Sequence, residues 1–192
     1  MKLIGSLTSP FVRKVRIFLL EKKIPFQFEI DIPWNESTQV PKYNPLGKVP
    51  VLMVDENTPL VDSRAIVEFL EFYQPEPTLI PKDKFFQIKQ IEVIADGMAD
   101  ALANCFIEKN MRTTQQQSEA WMARQLGKVD QCLNYLSLTL GTANHFCTDQ
   151  FNLADIAVLC ALAYMKFRFP QINWESTYPN LANFYQNMHQ MD

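Results

Sequence analysis

The spacing of hydrophobic and polar positions changes near the middle of the chain. From Met1 to about Tyr73, short strand-like runs alternate with helical stripes. "KLIGSL" suits a strand, and "FVRKVRIFLLEKK" puts Phe11, Val15, Phe18 and Leu19 on one helical face, with Arg13, Lys14 and Arg16 turned to solvent. "PFQFEIDI" alternates Phe26, Phe28, Ile30 and Ile32 with polar residues, and "VPVLMV" and "PLVD" read as two further strands close enough for a hairpin. Asp62-Ser63 then opens a helix to about Tyr73, with Ala65, Ile66, Phe69, Leu70 and Tyr73 inward. The predicted order is βαβ, an irregular stretch, then ββα.

"QPEPTLIPKDK", Gln74 to Lys84, holds three prolines in eleven residues and reads as a linker. Beyond it the period is helical throughout. Ile91, Ile94, Met98, Ala101 and Cys105 mark one long helix, and Met122, Leu126, Val129, Leu133, Leu136 and Leu140 mark a second. In "FNLADIAVLCALAYMKF", Asn152 is placed to cap and Asp155 to reach back from the third helical position. Phe151 is placed to staple onto Ile156, and the helix behind is apolar on every side, as a central helix would be. The expected organisation is an α/β domain over 1–74, a linker over 75–84 and an all-α domain over 85–192. A βαβ-ββα unit followed by a helical bundle suggests a thioredoxin-like domain with an appended helical domain.

Composition narrows the function. A 192-residue chain that is 47% hydrophobic can bury a core, and a net charge of −3 argues against nucleic-acid or polyphosphate partners. The longest apolar run, Ile156–Met165, is ten residues, about half a membrane crossing, and no signal-peptide pattern precedes the first strand. Cys105, Cys132, Cys147 and Cys160 lie 27, 15 and 13 residues apart, so neither CxxC nor metal-ligand spacing occurs; they read as reduced, buried thiols on helices. His145 and His189 are too far apart in sequence to suggest a metal site. The expectation is a cytoplasmic protein that uses no metal.

"TSPFVRKV" at the first helix, "NPLGKVPVL" from Asn44 to Leu52, and "DSRAI" from Asp62 to Ile66 resemble the cytosolic glutathione S-transferase family in order and spacing, and "FNLADIA" echoes its capping box. The resemblance implies a cis Val49-Pro50 bond that turns the Val49 backbone toward the cysteinyl part of glutathione. It also implies that Asp62 and Ser63 receive the γ-glutamyl end. Helix-start N–H groups with a hydroxyl suit a carboxylate, although the family usually carries Glu where this chain has the shorter Asp62. Asp62-Ser63 before an apolar helix is also what an ordinary helix cap would use, and Pro50 could equally be a trans proline opening a strand.

The resemblance further puts the Ser9 hydroxyl against the glutathione sulfur, with Thr8 as the next choice. A thiol of pKa about 8.5 is only a few per cent thiolate at neutral pH, and lowering it by two units needs about 2.7 kcal/mol. One hydrogen bond to a charged group supplies about 1.5–3 kcal/mol, so a serine suffices. Ser9 before Pro10 is also a sound helix cap, and with no base beside it Ser9 is not itself a nucleophile. Lys48 is a candidate for the glycyl carboxylate. Relatives carry Lys or His in the preceding loop, where this chain has Glu36, which argues against tight binding; Trp34 and Asn35 are the substitutes. Asp96 and Asp100 are either surface acids or carboxylates reaching a partner subunit.

The expected activity is binding of glutathione as co-substrate and attack of its thiolate on a small hydrophobic electrophile, in a cleft lined by Leu7, Phe11 and residues such as Phe106. The expected assembly is a homodimer, with Phe85, Phe86 and Met98 available for the contact. The alternative is a non-catalytic interaction module of the same fold, with weak or no glutathione binding. Thiol-disulfide reduction is disfavoured because no cysteine stands at Ser9.

Overall fold

The structure, a computed structural model, describes residues 1–189, the last by its backbone only, so the His189 side chain and the end of the expected 85–192 region lie outside the described residues. The chain divides into two compact units, Met1–Ile80 and Pro81–Asp192.

The first unit is a four-stranded mixed sheet with two helices, a thioredoxin-like arrangement. Its elements are β1 (Lys2–Gly5), α1 (Pro10–Glu21), β2 (Gln27–Ile30), β3 (Val51–Met53), β4 (Pro59–Val61) and α2 (Ser63–Tyr73). The spatial order is β2-β1-β3-β4, with β1 parallel to β2 and β3 antiparallel to both β1 and β4. The parallel pair needs a crossover, which α1 supplies, whereas β3 and β4 close as a hairpin. Val12, Val15, Phe18 and Leu19 are buried on α1, and Ile66, Val67 and Leu70 on α2; these two helices pack together.

Several expected faces differ. Ile30 is 58% exposed on β2, because β2 is an edge strand and its alternation finds no covering layer on that side. Ala65 and Tyr73 face out, since the buried stripe of α2 is narrower than the apolar one. Lys14, expected in solvent, is buried, because it lies one turn from Phe18 on the packed face. Arg16 is not simply solvated either: its guanidinium lies 4.8 Å from the centre of the Phe28 ring.

Much of the proline-rich segment expected to link the domains is tied to the first unit. Lys22, with no side-chain exposure, pairs with Glu71 and donates to the carbonyls of Gln74 (2.9 Å) and Pro75 (3.2 Å) at the end of α2. Glu71 in turn accepts from the Thr78 hydroxyl (2.7 Å) and from the backbone N–H groups of Leu79 and Ile80 (each 3.1 Å). Leu79 and Ile80 are thereby buried, and Glu76-Pro77 within this segment is cis.

The second unit is helical: α3 (Phe85–Asn110), α4 (Glu119–Leu140), α5 (Leu153–Arg168), the single turn α6 (Trp174–Thr177) and α7 (Pro179–His189). Every residue from Leu153 to Met165 is buried, and α3 packs on both α4 and α5. Met98, expected to be available for a subunit contact, is fully buried on α3, in the same stripe as Ile91, Ala95 and Leu102. On α4, Leu126 is 38% exposed, so the buried stripe begins at Gln125 and Val129. The Asn152–Asp155 capping box is present, and Asp155 also accepts from the Phe146 N–H at 2.8 Å and contacts His145 Nδ1 at 3.0 Å. Burial pushes this carboxyl up to about 6, against the pull of those donors. Among the described residues no helix is long and apolar enough to cross a membrane.

Replacing Lys22 with Met should leave the Glu71 charge without its cation, and we expect a loss of about 2–4 kcal/mol in urea unfolding. The double variant Lys22→Met/Glu71→Gln should recover part of that loss, because it removes the uncompensated charge.

Candidate functional site

The sheet register gathers the chemistry-bearing turns. Ile4 is opposite Val51, and Val51 is opposite Val61, so these three residues form one rung across β1, β3 and β4. One residue further along each strand, in the direction the register dictates, come Gly5, Pro50 and Asp62. Each ends a strand or begins the next turn: Gly5 leads toward Ser9, Pro50 closes the Asn44–Val49 turn, and Asp62 opens α2. Three motifs far apart in sequence therefore share one edge of the sheet, about 10 Å wide at ordinary strand spacing.

Ser9 caps α1. Its Oγ accepts from the Val12 N–H at 3.3 Å, and Pro10 follows at the first helical position. The side chain is half-buried, whereas Thr8 and Leu7 are exposed. The cap uses the hydroxyl oxygen as acceptor and leaves the O–H as a donor. Capping and contact with an anion are thus compatible at this residue.

Gly5 sets how closely α1 approaches the sheet. A Cβ built there would stand 2.5 Å from Val12 Cγ2 and 2.8 Å from Val12 Cγ1, distances no side chain can hold. The sequence reading did not single out Gly5. A glycine within a strand was the signal, since it often marks a close approach.

The central turn is built by Asn44, which is buried. Its Nδ2 donates to the Lys48 carbonyl at 2.8 Å, its Oδ1 accepts from the Leu46 N–H at 3.0 Å, and its own carbonyl accepts from the Gly47 N–H at 2.9 Å. Gly47 takes φ +62, open to glycine at little cost. Val49-Pro50 is cis, and the β3 ladder begins only at Val51. Lys48 is exposed, so its ammonium projects from a turn whose backbone is fixed. Upstream, Asp31 holds the base of the 32–38 excursion by accepting from Thr38 Oγ1 (2.7 Å) and the Gln39 N–H (2.8 Å). Trp34, Asn35 and Glu36 on that excursion are exposed.

Asp62 is the third element. It takes φ +65 and ψ 133, a strained conformation for a residue with a Cβ, and its Oδ1 accepts from the Arg64 N–H at 2.9 Å. Strain of this kind costs about 1–3 kcal/mol and persists where surrounding structure enforces it, commonly at binding sites. Ser63, at the first position of α2, is 4% exposed.

The remaining candidates lie in the second unit. Phe106 is half-buried, Asp96 is buried and Asp100 is exposed. Burial raises the thiol pKa of Cys105, Cys132 and Cys147, so none is set up as a thiolate. Cys147 is not on a helix as expected but in the loop before α5, at φ +65. Among the described residues no group of three His, Cys, Asp or Glu side chains could hold a metal ion.

Comparison with known proteins gives a consistent set of likenesses. Residues 8–71 match the glutathione S-transferase N-terminal domain and residues 119–187 its C-terminal domain. The uncharacterized GST-like protein YibF of Escherichia coli K12 is 40% identical over 192 residues, spanning 98% of this chain and 93% of that protein. A glutathione S-transferase from Methylobacterium radiotolerans, in complex with glutathione sulfonate, superposes with a TM-score of 0.95 at 35% identity, over 99% of this chain and 90% of its own. Another from Methylobacillus flagellatus, with glutathione bound, gives 0.94 at 36% identity, over 98% and 94%.

Gly5→Ala should force α1 off the sheet edge. We expect a loss of about 1–3 kcal/mol in urea unfolding, accompanied by a shift of the Val12 amide resonance as the Ser9 cap is displaced.

Proposed function

The chain belongs to the glutathione S-transferase family, and from that premise we propose that it binds reduced glutathione and stabilises its thiolate for attack on an electrophile. The observation that carries this reading is the shared edge of Gly5, Pro50 and Asp62. Its width of about 10 Å is also the length of three extended residues, so a tripeptide can lie across all three turns.

The residues fit the parts of such a ligand. Ser63 and the helix-start N–H groups of α2 suit the γ-glutamyl carboxylate, with the partial positive end of the helix beneath it. Asp62 is next to that position for the ammonium, although one of its carboxylate oxygens is engaged by Arg64. Val49, ahead of the cis Pro50, offers backbone groups beyond the β3 ladder for strand-like pairing with the cysteinyl part. The exposed Lys48 suits the glycyl carboxylate.

Glutathione supplies the nucleophilic sulfur. Ser9 donates its O–H to that sulfur while its oxygen keeps the Val12 cap, so one side chain both starts α1 and favours the anion. The positive end of α1 adds about 0.3–1 kcal/mol to the roughly 1.5–3 kcal/mol of the hydrogen bond. Together these lower a thiol of pKa about 8.5 by about one to three units.

The two serines are separable by experiment. Ser9→Ala should raise the pKa of bound glutathione by about one to two units, read by ultraviolet thiolate absorbance against pH, and slow turnover at neutral pH by roughly tenfold to a hundredfold. Binding of an S-alkylated glutathione should barely change. Ser63→Ala should instead weaken calorimetric binding roughly 5- to 150-fold and leave the thiol pKa nearly constant. Titration curves that overlap for wild type and Ser9→Ala would reduce Ser9 to a helix cap. No glutathione binding by folded protein would leave the interaction-module reading.

We also assign a homodimer as the working assembly. Phe72 on α2 and Phe86 on α3 are 86% and 83% exposed, large apolar surfaces that neither unit's core covers. Sedimentation should give a dimer at micromolar concentration, and Phe72→Glu with Phe86→Glu should shift it to monomer without loss of helicity.

A further inference from the structure

At the end of the sheet opposite Gly5, Pro50 and Asp62, the first unit has an open cleft of about 750 Å³ that the proposed function leaves unused. The register places it there: Lys2 at the start of β1 stands opposite Gln27 at the start of β2 and Met53 at the end of β3. Lys2 and Gly5 are at the two ends of β1, so the cleft lies about 10 Å from the edge assigned to glutathione. Lys2, Phe26, Tyr43, Met53, Asp55 and Glu56 are among the residues that line it, and all belong to one unit.

The walls are apolar and aromatic. Met53 is buried and belongs to the core cluster of Ile4, Val40 and Val51, against which Tyr43 packs. The Tyr43 side of the cleft is therefore held by the core of the unit. Phe26, just before β2, is half-buried.

The rim carries charges that are not equally free. Lys2 is engaged: its ammonium donates to Glu29 at 2.8 Å. Asp55 accepts from the Asn57 N–H at 2.8 Å and from the Thr58 hydroxyl at 3.0 Å. These donors hold its carboxyl below the usual carboxylate range, and a carboxylate has further lone pairs to offer. Glu56, next to it, makes no hydrogen bond or ion pair among the described residues. The α-amine of Met1, which also lines the cleft, offsets one of these two acids, so a net negative charge remains.

Acids on a hairpin would by themselves be ordinary solvated surface. Here they border aromatic rings, in a cleft whose volume falls within the usual range of small-molecule sites, about 300–1,000 Å³. Aromatic rings attract cations over their faces, and the carboxylates add negative charge at the same mouth. We propose that this cleft binds an organic cation, an amine or quaternary ammonium group carried on an apolar body. The body lies against Phe26, Tyr43 and Met53, and the charged head faces Asp55 and Glu56. An anionic ligand such as glutathione would meet like charge there.

NMR titration of the full chain, without glutathione, tests this with 3-phenylpropylamine, its neutral analogue 3-phenylpropanol, and propylamine. Phenylpropylamine should bind about tenfold tighter than the alcohol and shift the Gln27 and Val54 amides. Propylamine should bind about tenfold more weakly or worse, because it lacks the apolar body. Glu56→Gln and Phe26→Leu change little in bulk and should each cut the preference for the charged compound about two- to fivefold. Equal binding of the amine and the alcohol to wild type overturns the proposal. So does a preference that both folded variants keep in full, or amine-induced shifts at Gly5, Ser9 and Ser63 in place of Gln27 and Val54. Propylamine binding as tightly as phenylpropylamine would also overturn it, leaving the acids as solvated surface charge. Because glutathione is absent, a failed transferase reading and a failed cation site give different results.

Discussion

The antiparallel pairing of β3 with both of its neighbours is the constraint on which the candidate site depends. Because β3 runs against β1 and β4, the end of β1, the start of β3 and the end of β4 fall on one edge. A one-residue slip would exchange the faces of Val51, Leu52 and Met53 and move Pro50 out of line with Gly5 and Asp62. The register is held by burial: Ile4, Val51 and Met53 form a core cluster with Val40, and Tyr43, Val49 and Val61 pack against it. The same apolar contacts that stabilise the sheet thus hold the Asn44–Val49 turn beside it.

Buried polar groups hold the connections around these cores. Lys22 and Glu71 organise the chain after α2, and Glu71 holds the backbone N–H groups of Leu79 and Ile80. In the helical unit Asp155 does comparable work, satisfying backbone N–H groups at Asn152 and Phe146 while contacting His145. In both cases a carboxylate replaces a missing stretch of regular structure, because buried N–H groups without partners are costly. Asn44 is the neutral counterpart, with its side-chain amide bonded to the backbone on both sides of its turn.

Strong local patterns carried over well from sequence to structure. The α1 stripe of Val15, Phe18 and Leu19, the apolar helix α5 and the Asn152–Asp155 box depend on residues within a few turns of one another, and they read directly. Patterns that need a partner surface read less well. Alternation along 26–32 predicted a buried strand face, but β2 is an edge and Ile30 is exposed. Polarity put Lys14 in solvent, yet the packed face of α1 buries it, and Met98 is likewise enclosed. Gly5 and Asn44 were quoted within motifs without a role, because close approach to Val12 and the bond to the Lys48 carbonyl exist only once the chain has folded.

By itself the sequence determined the succession of elements, the change from mixed α/β to helical periodicity, the helix caps and the motifs that resemble a glutathione site. These follow from spacing, capping and turn chemistry, all of which act over a few residues. Only the tertiary structure decided that Gly5, Pro50 and Asp62 share one edge, that Asp62 is held at φ +65, and that Met98 is enclosed within the helical unit. Each of these depends on strand register or helix packing between residues distant in the chain. A pattern of side chains along one segment does not specify which distant segment will pack against it.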